Sequence, residues 1–359
     1  MADRVEIVVI GAGVIGAAVA QSLSVAGHEV MVLEAAPWVG DGITSRNSGV
    51  IHSGLNYRPG SLKAKTCIRG NRLLYEWSSK HGVPHQQIGK LVVAVDEGDE
   101  EELEKLYENA VASGAEEVER ISGKSLKDFE PTVRGVSALW CRRTGIVDPA
   151  ALTKSLVLAA EGAGATVVSN SEVLSIGRGG SGYELETVRG PVAAGKVINA
   201  AGLYADDVAR MVGIQSYKVH PCRGDYFNLR PRTTYRHLLY PVARPREVGL
   251  GIHLTLDLSG ACRLGPDAEY VDSKDDFSPA EGKLEKFRRS AERMFGKIDP
   301  KQLSYDSCGI RPKLRGPSET EEKDFVIRED LPGFVNLVGI DSPGLTAALA
   351  IAETVGKMI

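Results

Sequence analysis

Glycines, one acid and one arginine carry most of the chemistry that the chain spells out. Residues 5–35 read VEIVVIGAGVIGAAVAQSLSVAGHEVMVLEA. The apolar run from Val5 to Ile10 has the pattern of a parallel strand covered on both faces. It runs into Gly11, Gly13 and Gly16 in the spacing GxGxxG, and a helix opens on Val14 and Ile15. In such a turn the first glycine allows the sharp bend and the second lets a pyrophosphate approach the backbone. The third lets helix and strand pack closely. The helix N-terminus then offers unpaired N–H groups and the positive end of its dipole to the anion. A second strand, Glu29 to Leu33, ends on Glu34, placed to accept hydrogen bonds from an adenosine ribose. Strand, glycines, helix, strand and acid in this order predict dinucleotide binding, by NAD or FAD alike.

Two later stretches repeat the theme. In KVINAAGLYADDVARMVG an apolar strand ends on Ala200, Ala201 and Gly202, residues small enough to bring the backbone into contact with a cofactor. In FVNLVGIDSPGLTAALA a strand meets Gly344, Leu345 and Thr346 at the start of another helix, whose free N–H groups favour negative charge. Between them SCGIRPKLRGP sets Arg311 beside a proline after an apolar strand. A guanidinium keeps its charge at any working pH and can grip a carboxylate with two N–H groups.

The segment TSRNSGVIHSGLNYRPGSLKAKTCIRGNRLLYEW, residues 44–77, is polar and turn-rich around an apolar GVIHSG centre that a surface loop would not need. It resembles the segment following the first βαβ unit in L-2-hydroxyglutarate dehydrogenases. These are FAD enzymes of the wider D-amino-acid oxidase and glycerol-3-phosphate dehydrogenase superfamily. The lines RGDYF, YPVARP…GLGIHLT and LGPDAEY resemble the same family, and INAAG and GIRP resemble motifs of the superfamily. The resemblance implies FAD as cofactor, with Ser45, Ser48, Gly49 and His52 bordering the flavin and the backbone near Val173 at the adenine. It implies Arg311 over the flavin holding a substrate carboxylate, and the helix at Gly344–Thr346 facing the pyrimidine edge. Arg223, Tyr240 and His253 point to the same site.

The expected reaction is FAD-dependent oxidation of a small 2-hydroxy acid to the 2-oxo acid. The resemblance alone narrows this to L-2-hydroxyglutarate and 2-oxoglutarate. Arg311, helped by Arg223, Tyr57 or Tyr240, would bind the carboxylate. The base is His52 or His253, and His253, on the GIHLT strand, is preferred, with His52 on the flavin side. The GIRP and SPGLT endings are shared with amino-acid and amine oxidases and with glycerol-3-phosphate dehydrogenases, so these stay as alternatives, as does a non-catalytic flavin-binding protein. Oxygen or a quinone would reoxidise the flavin.

The elements that must position these groups follow from pattern. An α/β fold is expected, with a Rossmann-like FAD-binding domain built from residues 1–79, 145–214 and 306–359. A mixed-sheet substrate domain takes residues 80–144 and 215–305. Ser61 to His81 reads as an amphipathic helix. In DPAALTKSLVLAAEGAG, Asp148 is an N-cap and Pro149 the first helical residue. Residues 216–305 alternate apolar and polar side chains, as antiparallel strands do, and PAEGKLEKFRRSAERMFG follows as an outer helix. The chain's 359 residues can bury a large core, and a net charge of −4 gives no reason to expect nucleic acid. Five dispersed cysteines without a C-x-x-C pair suit a reducing, cytoplasmic setting and argue against a zinc site. The opening apolar stretch is interrupted by glycines and by Gln21, Ser22 and Ser24, so it reads neither as a membrane span nor as a signal peptide; peripheral membrane contact is left open.

Overall fold

The computed structural model describes residues 4–180, 182–230, 234–243 and 251–359. The middle of the YPVARP…GLGIHLT line, residues 244–250, lies outside them. In chain order the elements framing the site begin with β1 (Arg4–Ile10), α1 (Val14–Val25), β2 (Val30–Leu33), α2 (Leu62–His81), β3 (Lys90–Ala94) and α3 (Pro149–Gly162). They continue with β4 (Thr166–Val168), β5 (Gly190–Asn199), β6 (His220–Leu229), β7 (Leu238–Pro241), β8 (Leu303–Lys313), β9 (Phe334–Val338) and α4 (Gly344–Gly356).

The fold is α/β. Five strands of the first sheet run parallel in the order β4-β2-β1-β5-β9. A hairpin, Val173–Gly179 with Gly182–Thr187, pairs beside the first half of β5, and Val326–Leu331 pairs antiparallel with β9. Parallel strands need crossovers, and the crossovers cover both faces. That is why Val8, Val9, Val197 and Ile198 are all fully buried. Ile10, Leu33, Asn199 and Val338 all end at one edge, the place where an open α/β sheet leaves a crevice.

Helices α1, α3 and α4 share one face of this sheet and α2 packs on α4. Their contacts are built from small side chains: Ala17, Ala18 and Ala20 of α1 against Ala347, Ala348 and Ala352 of α4, all buried. Alanine favours the helix and lets two backbones approach closely. Ser61 caps α2 by accepting from the Ala64 N–H, and Asp148 caps α3 by accepting from the N–H groups of Ala150 and Ala151. The N-cap residues of α1 and α4, Gly13 and Pro343, make no side-chain cap bond.

Among the described residues the second sheet has nine strands. Strands β6 and β8 pair antiparallel over their full length, from His220 opposite Lys313 to Leu229 opposite Leu303. The strands after residue 216 pair antiparallel with one another, and β7 also runs parallel to β3, which makes the sheet mixed as expected. That contact joins strands far apart in the chain, so local alternation could not register it. The charged outer helix begins at Leu284, with Phe287 buried beneath it. The expected domain boundary at residue 306 falls inside β8, so the chain leaves the second sheet only after Lys313. Among the described residues no helix is long and apolar enough to cross a membrane. All five cysteines are unpaired and buried.

The turn after β1 tests how tightly the layers are set. A Cβ on Gly16 would overlap the carbonyl oxygen of Gly11, which is backbone and cannot rotate away. Gly16→Ala should cost about 2 kcal/mol or more and strip bound cofactor, read by thermal unfolding and by flavin content of the purified protein.

Candidate active site

At the C-terminal edge of the first sheet the backbone itself forms one wall. Gly11 sits at φ +101°, and a Cβ there would lie 2.7 Å from the carbonyl oxygen of Ala200. The Ala200 N–H donates to Ile10 O at 3.0 Å, tying β5 to β1. Asn199 holds this corner from behind: its Nδ2 donates to Ala205 O at 2.7 Å and to Asn336 Oδ1 at 2.8 Å. Above lies a cavity of about 1350 Å³, bounded by the second sheet on its far side. This is larger than a site for one small ligand needs, and it suits a cofactor together with a substrate.

At one end the cavity is lined by Gly11, Gly13, Val14 and Ile15, by Glu34 and Val173, and by Ala200, Ala201 and Gly202. Glu34 already accepts from the Ala12 N–H at 2.6 Å and from the Ala36 N–H at 2.8 Å, which fixes its carboxylate at the cavity rim. At the other end Gly344 and Leu345 open onto it. Both of these helices therefore begin at this one cavity, where Thr44 and the Asp341 carbonyl each accept the first N–H and the next ones need an acceptor.

The reactive-looking groups gather between those ends. His52, His253, Tyr57, Tyr240, Ser48 and Arg311 all line the cavity. Tyr240 stacks on His253 with ring centroids 3.7 Å apart and planes inclined by 19°. Nδ1 of His253 lies 2.8 Å from the carbonyl of Gly251. A carbonyl can only accept, so Nδ1 carries the proton and Nε2 keeps its lone pair. Nε2 of His52 lies 3.3 Å from Ser342 Oγ, which is 3.4 Å from the Tyr57 hydroxyl. Burial, then the charge of Lys90, pushes His52 down to about 3. Burial again leads for His253, also pushed down to about 3, with Lys90 and Arg311 adding to it against the Gly251 hydrogen bond. Both rings are therefore neutral at physiological pH. Burial likewise holds the Tyr57 phenol well above its ordinary value.

Arg311, on β8, donates from Nη2 to Asp267 O at 2.9 Å and has no carboxylate partner among the described residues. Space for its head comes from Gly224 on the neighbouring strand, where a Cβ would stand 2.6 Å from Nη2. The carboxylate of Asp267 is itself fixed by the Asp225 N–H at 2.9 Å and by Lys286 at 2.7 Å.

Five expected residues stand elsewhere. Gly16 packs on Gly11 beneath the cavity floor. Ser45 is exposed and donates to Gly42 O at 3.0 Å; its neighbour Thr44 takes the inward position and accepts the Val14 N–H at 3.0 Å. Gly49 is buried against the Val147 carbonyl. Thr346 is interior, accepting the His52 N–H at 2.9 Å and donating to Val50 O at 3.3 Å, so it braces His52 from behind the wall. Arg223 is turned away into a buried ion cluster: it pairs with Asp225 at 2.8 Å and donates to the carbonyls of Asp276 and Ser278. Its alternation with Arg311 across the β6–β8 ladder explains this, since Arg223 and Asp225 share the opposite face of β6.

Sequence reading missed the cations on the cavity's lower rim. Lys63 and Lys313 both reach Asp341, at 2.8 and 3.3 Å, directly before the start of α4. Burial alone would push the Asp341 carboxyl up, but the two lysines outweigh it and hold it below the usual carboxylate range. Nothing local marks three charges so far apart in the chain. Ser48 Oγ also meets the Tyr226 hydroxyl at 2.9 Å, tying the coil after Thr44 to β6 across the site.

The sequence profile of the FAD dependent oxidoreductase family matches residues 6–358. The mitochondrial L-2-hydroxyglutarate dehydrogenase of Arabidopsis thaliana is 36% identical, over 99% of this chain and 83% of that protein. A glycerol 3-phosphate dehydrogenase of Caloramator mitchellensis is 32% identical, over 97% of this chain and 72% of its own length. The FAD-bound L-alpha-glycerophosphate oxidase of Mycoplasma pneumoniae superposes with a TM-score of 0.91 at 28% identity, covering 99% of this chain and 94% of that one. The glycine-floored crevice, the two helix N-termini and the size of the cavity fit FAD.

Removing the carboxylate that joins Lys63 and Lys313 leaves Lys63 unmatched and Lys313 with Glu322 alone, at 3.9 Å. Asp341→Asn should lower stability at pH 7 by about 3 kcal/mol. The Asp341 contribution is present above the unfolded carboxyl range and vanishes as pH falls through its depressed folded value. Urea unfolding of both proteins should therefore converge in acid.

Proposed function

We propose that this chain, which belongs to the FAD dependent oxidoreductase family, oxidises L-2-hydroxyglutarate to 2-oxoglutarate. One observation carries the reading: an arginine without a carboxylate partner faces the same cavity as two neutral imidazoles. Bound FAD supplies the acceptor for the hydride that leaves carbon 2 of the acid. Its cradle is the turn at Gly11 and Gly13, the N-termini of α1 and α4, Glu34, Val173 and the Ala200–Gly202 corner.

The substrate's 1-carboxylate goes to Arg311, whose guanidinium keeps donors free beyond the one bonded to Asp267. Tyr57 and Tyr240 close the sides of that position. The hydroxyl proton passes to Nε2 of His253, the ring whose tautomer the Gly251 carbonyl dictates. Stacking on Tyr240 fixes the plane of that ring, and His52, held by Ser342 and Thr346, orients the cofactor side. Unpaired, buried cysteines support a reducing, cytoplasmic setting, with oxygen or a quinone as the final acceptor.

Anaerobic spectra of the purified protein test this. L-2-Hydroxyglutarate should bleach the flavin absorbance, while glycerol 3-phosphate and amino acids should not; bleaching by one of those alone moves the activity to that class. In the same assay Arg311→Ala should raise the half-saturating concentration about 100-fold, the scale of a lost charge-assisted pair, with FAD content kept. Loss of FAD in parallel would make Arg311 a structural residue instead.

A further inference from the structure

Lys90, the first residue of β3, is 1% exposed, and the mechanism above gives it no task. It has no carboxylate or hydrogen-bond partner among the described residues. Its ammonium lies 4.9 Å from the centroid of the Tyr240 ring, the ring that stacks on His253. Along the sheet Lys90 stands opposite Leu238 of β7 on one side and Cys141 on the other, neither of which can match its charge. Burial pushes the Lys90 amine below its ordinary value, and the face of the Tyr240 ring is the contact that favours its charged form; a fold keeps such a group where it has a use.

We propose that Lys90 is a positioning residue of the reaction centre: a fixed cation beside the Tyr240–His253 stack that keeps the imidazoles of His253 and His52 unprotonated until an anionic substrate arrives. The inference rests on the reading of the site given above. The groups facing the two rings agree with it. Lys90 from β3 and Arg311 from β8 act on His253, and Lys90 and His253 act on His52. Cys67 of α2 and Cys141, both near Lys90, are pushed up by burial to about 12 and about 11 and remain neutral thiols. Tyr57 and Tyr240 are held neutral by burial as well. Burial is the larger cause for both rings, and with no carboxylate acting on either the cations add to it, so in the free enzyme neither imidazole takes a proton from water. A bound carboxylate offsets that charge and raises the affinity of Nε2 for a proton at the moment the substrate hydroxyl must give one up. The base is thus tuned by the substrate it serves.

The test is imidazole 15N NMR on the FAD-loaded protein without substrate, with His52→Gln and His253→Gln supplying the assignments. In the wild type both rings should stay neutral down to pH 5. In Lys90→Met, which replaces the charge by a side chain of similar length, protonation of both rings should begin roughly one pH unit higher, the scale of one charge several ångströms away at an effective dielectric of about 20. Lys90→Arg should restore the wild-type onset. The acid limb of the flavin-bleaching rate should move in the same direction. An unchanged onset in Lys90→Met, or a wild-type ring already protonated at pH 6, overturns the proposal; the second reading needs no variant to fold. If the onset moves but L-2-hydroxyglutarate fails to bleach the flavin, the substrate assignment falls and the role of Lys90 stands.

Discussion

Everything at this site is built on the approach of two backbones where β1 and β5 end side by side. The Ala200 amide bonds to Ile10, and Gly11 turns away at a positive φ with no room for a side chain. A side chain on that floor would fill the space a flat ligand needs, and a different turn would misdirect α1. The Asn199–Asn336 bond then locks β5 to β9, so the strand feeding α4 is set by the same corner as the strand feeding α1. Two helix N-termini converge on one cavity because the strands delivering them are neighbours of the same pair.

Charge is sorted just as strictly. Most deeply buried ions are matched: Asp341 with Lys63 and Lys313, and Asp225 with Arg223 and Lys283 at 2.8 and 2.6 Å. Lys283 also reaches Asp267 and Glu269, so one ammonium gathers three carboxylates behind the site. Asp225, Arg223 and Lys283 brace the strands that carry Arg311 from outside the cavity, while Asp341, Lys63 and Lys313 stand on its rim. Arg311 and Lys90 are exceptions, cations left unmatched beside neutral rings. An acid entering the cavity finds Arg311 on its wall already in place, with no carboxylate holding it.

The parts of this architecture legible in the sequence are those where physics acts over a few residues. The GxGxxG turn, the strand ending on Glu34, the Asp148 cap and the small residues at 200–202 each follow from local geometry, and the structure has the turn, the cap and the strand ends at those positions. What could not be read needed the far partner. Ser45 and Thr44 differ by one position in a coil, and only the Val14 amide decides which faces inward. Arg223 looked available for a substrate because its partners Ser278 and Asp276 come more than fifty residues later. One signal was overlooked: Arg223 and Asp225 stand two apart on a strand, hence on one face, which favours their pairing with each other. The parallel contact of β3 with β7, and so the depth of Lys90, had no local trace.

The packing of α1 on α4 bears on how the protein is made. The two helices share a seam of alanines, yet more than three hundred residues separate them in the chain. A ribosome delivers residues in order, so the opening strand–helix–strand unit waits more than three hundred residues before that seam is covered. The nucleotide crevice closes only when residues 344–356 have emerged, and cofactor capture is thereby tied to that stretch rather than to the opening one.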